Sequence, residues 1–247
     1  MYTKIDTDAV LTNINKYTRA NSHLYPAVTV EALIEGLHIV MRNNIFTFGD
    51  TNWLQKVGAA MGQPPSPPYA TVFFGIHENR IHPRYSASIL AYFRYIDDYI
   101  GVWVPHESDQ CNTYLWHRFQ SEMNDYHGLQ WEFSEHSNSV NYMDLTITLT
   151  NGTIETNLYE KQLNLYLYIP PLSAHPPGVI TGLVLGNSYR IFTLVTKAVH
   201  RKRHFHNFYN RLLHRGYQPA TIKPLFQRTV VQQQTRLLAQ QNSPQPS

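Results

Sequence analysis

Residues 90–104 run LAYFRYIDDYIGVWV, with aromatic and β-branched residues on both sides of an Asp97-Asp98 pair. Such residues favour strands, so the segment is expected to form two strands joined by a tight turn, with the carboxylates at its tip. Two adjacent carboxylates repel each other by on the order of 4 kcal/mol at about 4 Å and an effective dielectric of about 20. A cation relieves that repulsion, and Mg2+ or Mn2+ suits hard oxygen ligands. Two such ions held by carboxylates serve phosphoryl transfer. Taken alone, the same pair is more often a solvated β-turn.

Upstream lies a segment that cannot be a regular element, Gly58-Ala59-Ala60-Met61-Gly62-Gln63-Pro64-Pro65-Ser66-Pro67. Glycine and proline punctuate it too often. Ser66 is placed to cap a helix with Pro67 at its first position, predicting a helix over 67–80 that packs through Val72, Phe73 and Ile76. Such a start is expected to offer backbone N–H groups to an anion or nucleotide, and glycine lets a partner approach closely. The alternative is a purely structural loop.

Elsewhere, Thr29 caps an expected helix to Asn43 with Leu33, Ile34, Leu37, Val40 and Met41 on one face. A further helix is expected over 113–126, and strands over 129–134, 140–150 and 153–159, the last two joined by an Asn151-Gly152 hairpin turn. Residues 187–215 read as helix, stopped by Arg215-Gly216 and Pro219. The fold class expected is α+β.

Charge divides the chain in two. Residues 1–160 hold nine Lys/Arg and all 17 acids, a net −8, whereas residues 161–247 hold eleven Lys/Arg and no acid, a net +11. The second part therefore suits a polyanion partner or packing against the first. His200, Arg201, Lys202, Arg203, His204 and His206, interleaved with Phe205 and Phe208, suggest phosphate contacts along a helix; the alternative is an ordinary solvated face. Cys111 is the only cysteine, which excludes an internal disulfide and a multi-cysteine zinc site and fits a reducing compartment. No apolar run approaches the ~18–20 residues of a membrane span, and no membrane partner is expected.

In this order, the Gly-rich loop and the Asp-Asp turn resemble motifs B and C of reverse transcriptases. The resemblance covers nearly the whole chain and is nearest to Penelope-like retroelements and related elements of protist genomes. It runs through Met1 to Ile5, Phe46 to Asp50, Gly58 to Ala70, Glu78, Arg94 to Asp98, Tyr142-Met143-Asp144-Leu145, Leu158 to Lys161, Ser173 to Pro177 and Arg215-Gly216-Tyr217. It implies a right-hand polymerase palm over 1–160 and a basic helical thumb over 161–230; residues 231–247, rich in Gln, Ser and Pro, read from composition as a disordered tail.

The resemblance also implies residue roles. Asp97 and Asp98 would bind Mg2+ or Mn2+ and be catalytic. Met61, Gly62 and Gln63 would contact the nucleotide and template, Tyr2 would be the sugar gate, and Met143, Asp144 and Leu145 the primer grip. Arg201, Lys202 and Arg203 would contact phosphates. The partners implied are an RNA template, a DNA primer and deoxynucleotide triphosphates, and the location implied is intracellular and nuclear.

The chain departs from the family pattern at its start. A third metal-binding Asp belongs five residues before the aromatic matched by Tyr2, hence before Met1, and the fingers belong further upstream. The expectation is a chain beginning inside a longer ancestral reading frame, with Asp6 and Asp8 as surface or capping residues. A second departure is the proton donor expected after motif C: no lysine stands between Val104 and Lys161, and His117 and His127 are the candidates, each more readily a structural or solvated histidine. A non-catalytic nucleic-acid-binding remnant is the alternative function.

Overall fold

A computed structural model of the chain describes residues 2–24, 27–161 and 163–241. It is mixed α+β, as expected, with seven α-helices and small antiparallel sheets among the described residues. The chain divides after Glu135 into two compact units.

The first unit opens with a 3-10 turn at Tyr2–Lys4 and helix α1, Thr7–Ala20. The Oδ1 atom of Asp6 accepts from the N–H groups of Asp8 and Ala9 at 2.9 and 3.2 Å, satisfying donors that a helix start leaves open. Asp8 pairs with Arg42. Helix α2, Val30–Arg42, is capped by Thr29, whose Oγ1 accepts from Ala32 N–H at 3.3 Å. Its core face is narrower than the sequence suggests: Met41 is buried and Ile34 and Leu37 half-buried, but Leu33 and Val40 are exposed. Strands β1, Ile45–Phe48, and β2, Thr51–Leu54, form a hairpin exposed along both strands.

Helix α3, Ser66–Ile81, runs through the centre of this unit, with Phe73, Phe74 and Ile81 fully buried. Burying each such side chain contributes roughly 1.5–3 kcal/mol. Val72, expected on the packed face, is exposed, and Phe74 is buried in its stead. Strands β3, Ile89–Tyr95, and β4, Asp98–Trp103, pair antiparallel from Ile89↔Trp103 to Tyr95↔Asp98. Helix α4, Asp109–Asn124, follows a Ser108 cap. The strand expected over 129–134 does not form. Trp131 N–H donates to Asn124 Oδ1 at 2.6 Å, and Trp131 and Phe133 pack onto the core without a partner strand.

In the second unit, β5 (Ser139–Tyr142), β6 (Leu145–Thr150) and β7 (Thr153–Leu158) form a meander. Asn151 and Gly152, at φ 50° and 73°, make the β6–β7 turn, as their sequence suggests. Three helices follow, α5 (Val179–Leu194), α6 (Ala198–His214) and α7 (Pro219–Gln241). The single helix expected over 187–215 is broken because Thr196 pairs with β7. Its N–H donates to Thr156 O at 3.0 Å, and its Oγ1 accepts from Thr156 N–H at 2.9 Å. Val184, Phe208, Leu212, Ile222 and Phe226 form the core. Helix α7 continues through Gln241, so the disordered stretch expected from residue 231 is helical to that point; 242–247 lie outside the described residues. No helix among the described residues is long and apolar enough to cross a membrane.

Candidate functional site

The Asp-Asp segment folds as the sequence predicts. Tyr95 pairs with Asp98 across a two-residue turn of Ile96 and Asp97. Ile96 has φ 55°, in the left-handed region that β-branched residues rarely adopt. Both carboxylates are exposed, and neither makes a hydrogen bond or ion pair within the described residues. Strand alternation puts Asp98 on the face of β3–β4 shared with Phe93 and Tyr95, which are exposed. Tyr92, Tyr99 and Trp103 face the core: Tyr92 and Tyr99 stack at 5.8 Å, and Trp103 packs edge-on to Trp116 at 5.0 Å.

Beneath the turn lies a buried ion pair. Arg94 and Glu78, only 6% and 10% exposed, meet with Arg94 Nε donating to Oε1 at 2.6 Å and Nη2 to Oε2 at 2.7 Å. Tyr92 donates to the same Oε1 at 2.5 Å. Burial, and then the Glu78 charge, push the Tyr92 hydroxyl well above the usual tyrosine range. The remaining Arg94 donors reach Ile96 O at 2.9 Å and Thr71 O at 3.0 Å. Helix α3, strand β3 and the Asp97 turn are thus tied through one guanidinium. Sequence reasoning noted Glu78 and Arg94 without giving them a role. The available signal was Arg94, a lone base inside the otherwise apolar and aromatic run before the Asp pair, which calls for an acid partner.

The loop before α3 departs from expectation in a way that matters chemically. Ser66 is not the cap. It is the first helical residue, buried, and its Oγ donates to Ala60 O at 2.6 Å. Pro65 holds the cap position, Ser66 N–H donates to Gln63 O at 3.1 Å, and Pro67 and Pro68 have no N–H. The first turn therefore has no spare backbone donor for an anion. What the loop presents instead is Met61, Gly62 and Gln63, all exposed, with Gly62 at φ 90° as only glycine readily allows. Gly58 N–H donates to Ile5 O at 3.0 Å, which joins this loop to the segment just after Tyr2.

The proton-donor candidates separate. Both are exposed; His117 stands on α4, whereas His127 also packs against Phe73 and Tyr126 and has its Nε2 3.1 Å from Asn13 Nδ2, a structural position.

In the second unit, Met143 and Asp144 form the turn between β5 and β6, and Leu145 starts β6 paired with Leu158. Asp144 is ion-paired with Arg190 of α5, so its carboxylate is not free. On α6, Lys202 and Arg203 are exposed and Arg201 lies over the Phe192 ring at 5.8 Å. His204, in the middle of the basic run, points inward. It is 5% exposed, with Nε2 at 2.8 Å from Asn157 Oδ1 and Nδ1 at 3.6 Å from Glu160 Oε1. Arg211 pairs with the same Glu160 at 2.9 Å. The basic run is therefore split between a solvated face and an internal polar network.

The exposed, unpartnered Asp97 and Asp98 fit a hard divalent cation by donor type. No group of three or more His, Cys, Asp or Glu side chains able to hold a metal forms among the described residues. No protein-family model matches the chain, and no curated protein matches it.

Proposed function

We propose that this chain is the palm and thumb portion of a retroelement reverse transcriptase, an RNA-directed DNA polymerase. The observation that carries the proposal is the Asp97-Asp98 tip: two solvent-facing carboxylates without side-chain partners among the described residues, on a turn whose backbone is held from beneath. Asp97 and Asp98 would hold Mg2+ or Mn2+, which when bound lowers the pKa of a primer hydroxyl and neutralises triphosphate charge. The primer 3′-hydroxyl oxygen attacks the α-phosphorus of a deoxynucleoside triphosphate, the α–β phosphoanhydride bond breaks to release pyrophosphate, and the hydroxyl proton passes to water. Met61, Gly62 and Gln63 contact the nucleotide and template from their exposed loop, and Tyr2 excludes a ribose 2′-hydroxyl. Met143 and Leu145 steady the primer end, with Asp144 keeping their turn in place through Arg190. Lys202, Arg203 and Arg201 take duplex phosphates.

A second reading, a nucleic-acid-binding remnant without catalysis, is favoured by one observation: Asp97 and Asp98 are joined by no further His, Cys, Asp or Glu in a group of three or more able to hold a metal, among the described residues. Primer extension on an RNA template with Mg2+ or Mn2+ separates the two. Extension lost in Asp97→Asn supports the polymerase. Duplex binding with no extension above that variant supports the remnant.

A further inference from the structure

From the buried ion pair under the turn, we infer that Arg94, clamped by Glu78, is a positioning residue that sets the conformation of the Asp97 turn and so its capacity to bind a divalent cation. This rests on the metal-binding role proposed above for Asp97.

The turn needs such a device. A left-handed β-branched residue costs about 1–2 kcal/mol relative to the ordinary backbone regions, and a conformation of that kind persists only where its surroundings over-determine it. Ile96 is in that state, at φ 55°. One side-chain hydrogen bond acts on the hairpin tip from below, Arg94 Nη1 to Ile96 O at 2.9 Å, and it ends on the strained residue itself. That carbonyl belongs to the peptide whose nitrogen is Asp97, so fixing it fixes where the Asp97 side chain starts.

The guanidinium is in turn immobile. Its Nε and Nη2 are bound by Glu78, Nη2 also by Thr71 O, and its Cζ lies over the Phe74 ring, 5.2 Å from the centroid. Glu78 is fixed by Tyr92 and by its place on the buried face of α3. A planar fork with several donors can satisfy Glu78, Thr71 and Ile96 together, which an ammonium cannot. The clamp therefore connects the rigid centre of the first unit to the single backbone carbonyl preceding Asp97. Support of this kind beneath a metal ligand typically matters 10–100-fold in affinity.

The test uses the full chain and four variants: Arg94→Lys, Arg94→Gln, Glu78→Gln and Asp97→Asn. Arg94→Lys preserves charge against Glu78 and the fold while removing the bond to Ile96, so it remains informative if the neutral variants unfold. Two signals are read, the Ile96 methyl resonances by NMR and Mn2+ binding by EPR. The expected result is a displaced or exchange-broadened Ile96 signal in Arg94→Lys, with Mn2+ affinity at least about tenfold weaker. Ile96 resonances and Mn2+ affinity unchanged in Arg94→Lys, with only the melting temperature lowered, overturn the inference and leave the ion pair a structural one. A wild-type chain whose Mn2+ binding is indifferent to Asp97→Asn, alongside a shifted Ile96 signal in Arg94→Lys, overturns the metal-binding role while supporting the clamp.

Discussion

Ile96 and Met143 occupy the same place in two different hairpins. Each is the first of two turn residues, at φ 55° and 54°, each follows a tyrosine, and each precedes an aspartate. The aspartates differ in their surroundings: Asp97 has no partner among the described residues, while Asp144 is paired with Arg190. Backbone geometry alone thus does not make a carboxylate available for a cation; the neighbouring charge decides it.

The shared strain predicts a stability gain on relief. A side chain in the left-handed region costs about 1–2 kcal/mol, and glycine returns part of that as lost chain entropy, about 0.5–1 kcal/mol. Ile96→Gly and Met143→Gly are each expected to stabilise their unit by about 0.5–1 kcal/mol in urea unfolding. A loss of stability in both would show that the turns are not strained.

The Arg94–Glu78 pair predicts the opposite sign. Removing one member leaves the other charged and buried, a situation that typically costs about 3–5 kcal/mol. Glu78→Gln should lower the urea midpoint of the first unit, followed by its tryptophans, far more than Arg190→Ala lowers that of the second. The Arg190–Asp144 pair is 42% and 51% exposed, and such pairs contribute about 0–1 kcal/mol.

Acid should weaken the second unit. Burial lowers the His204 pKa, and the opposing pull of Glu160 does not restore it. The folded state therefore disfavours the imidazolium, and stability is full above the unfolded value of about 6.5 and declines as pH falls through it. For Glu160, burial works to raise the pKa, but the Arg211 hydrogen bond and charge and His204 together hold it below the usual carboxylate range. Its contribution is likewise present above the unfolded carboxylate pKa and is lost as pH falls through the lowered folded value. Protection of the α6 amides should accordingly fall between pH 7 and 5, and His204→Gln should flatten that fall. An unchanged profile in the variant would place the titration elsewhere.

The division of the basic run predicts which residues meet phosphate. Each phosphate contact contributes about −0.9 to the log–log salt slope on B-form duplex. Lys202→Gln and Arg203→Gln should each make the slope shallower by about one, while His204→Gln leaves it unchanged. Equal effects at all three positions would contradict the inward placement of His204.

What was legible in the sequence was what local patterning controls. Residues 90–104 concentrate strand-forming residues around a charged pair, Asn151-Gly152 dictates its turn, and Thr29 caps its helix. Trp131 and Phe133 misled because alternation reports a buried face, which here packs on a core instead of pairing with a strand. The break at Thr196 and the clamp between Glu78 and Arg94 depend on groups 40 and 16 residues apart, and no local pattern encodes them. The β1–β2 hairpin left no alternation to find, since all eight of its strand residues are exposed. The helix start at Ser66 shows the converse: the serine that local pattern offers as a cap is the first helical residue, and its hydroxyl donates to Ala60 O, six residues upstream.

The central claim is template-directed nucleotidyl transfer at the Asp97 turn, and single-nucleotide incorporation tests it most directly. The full chain is given a DNA primer on an RNA template of known next base, with Mg2+ or Mn2+ and each deoxynucleotide triphosphate separately. The predicted result is extension by one residue with the complementary nucleotide alone, with pyrophosphate released in equal amount and both signals lost in Asp97→Asn. A chain that binds the duplex and yet adds no nucleotide under either metal, or adds it equally well in Asp97→Asn, would contradict the claim.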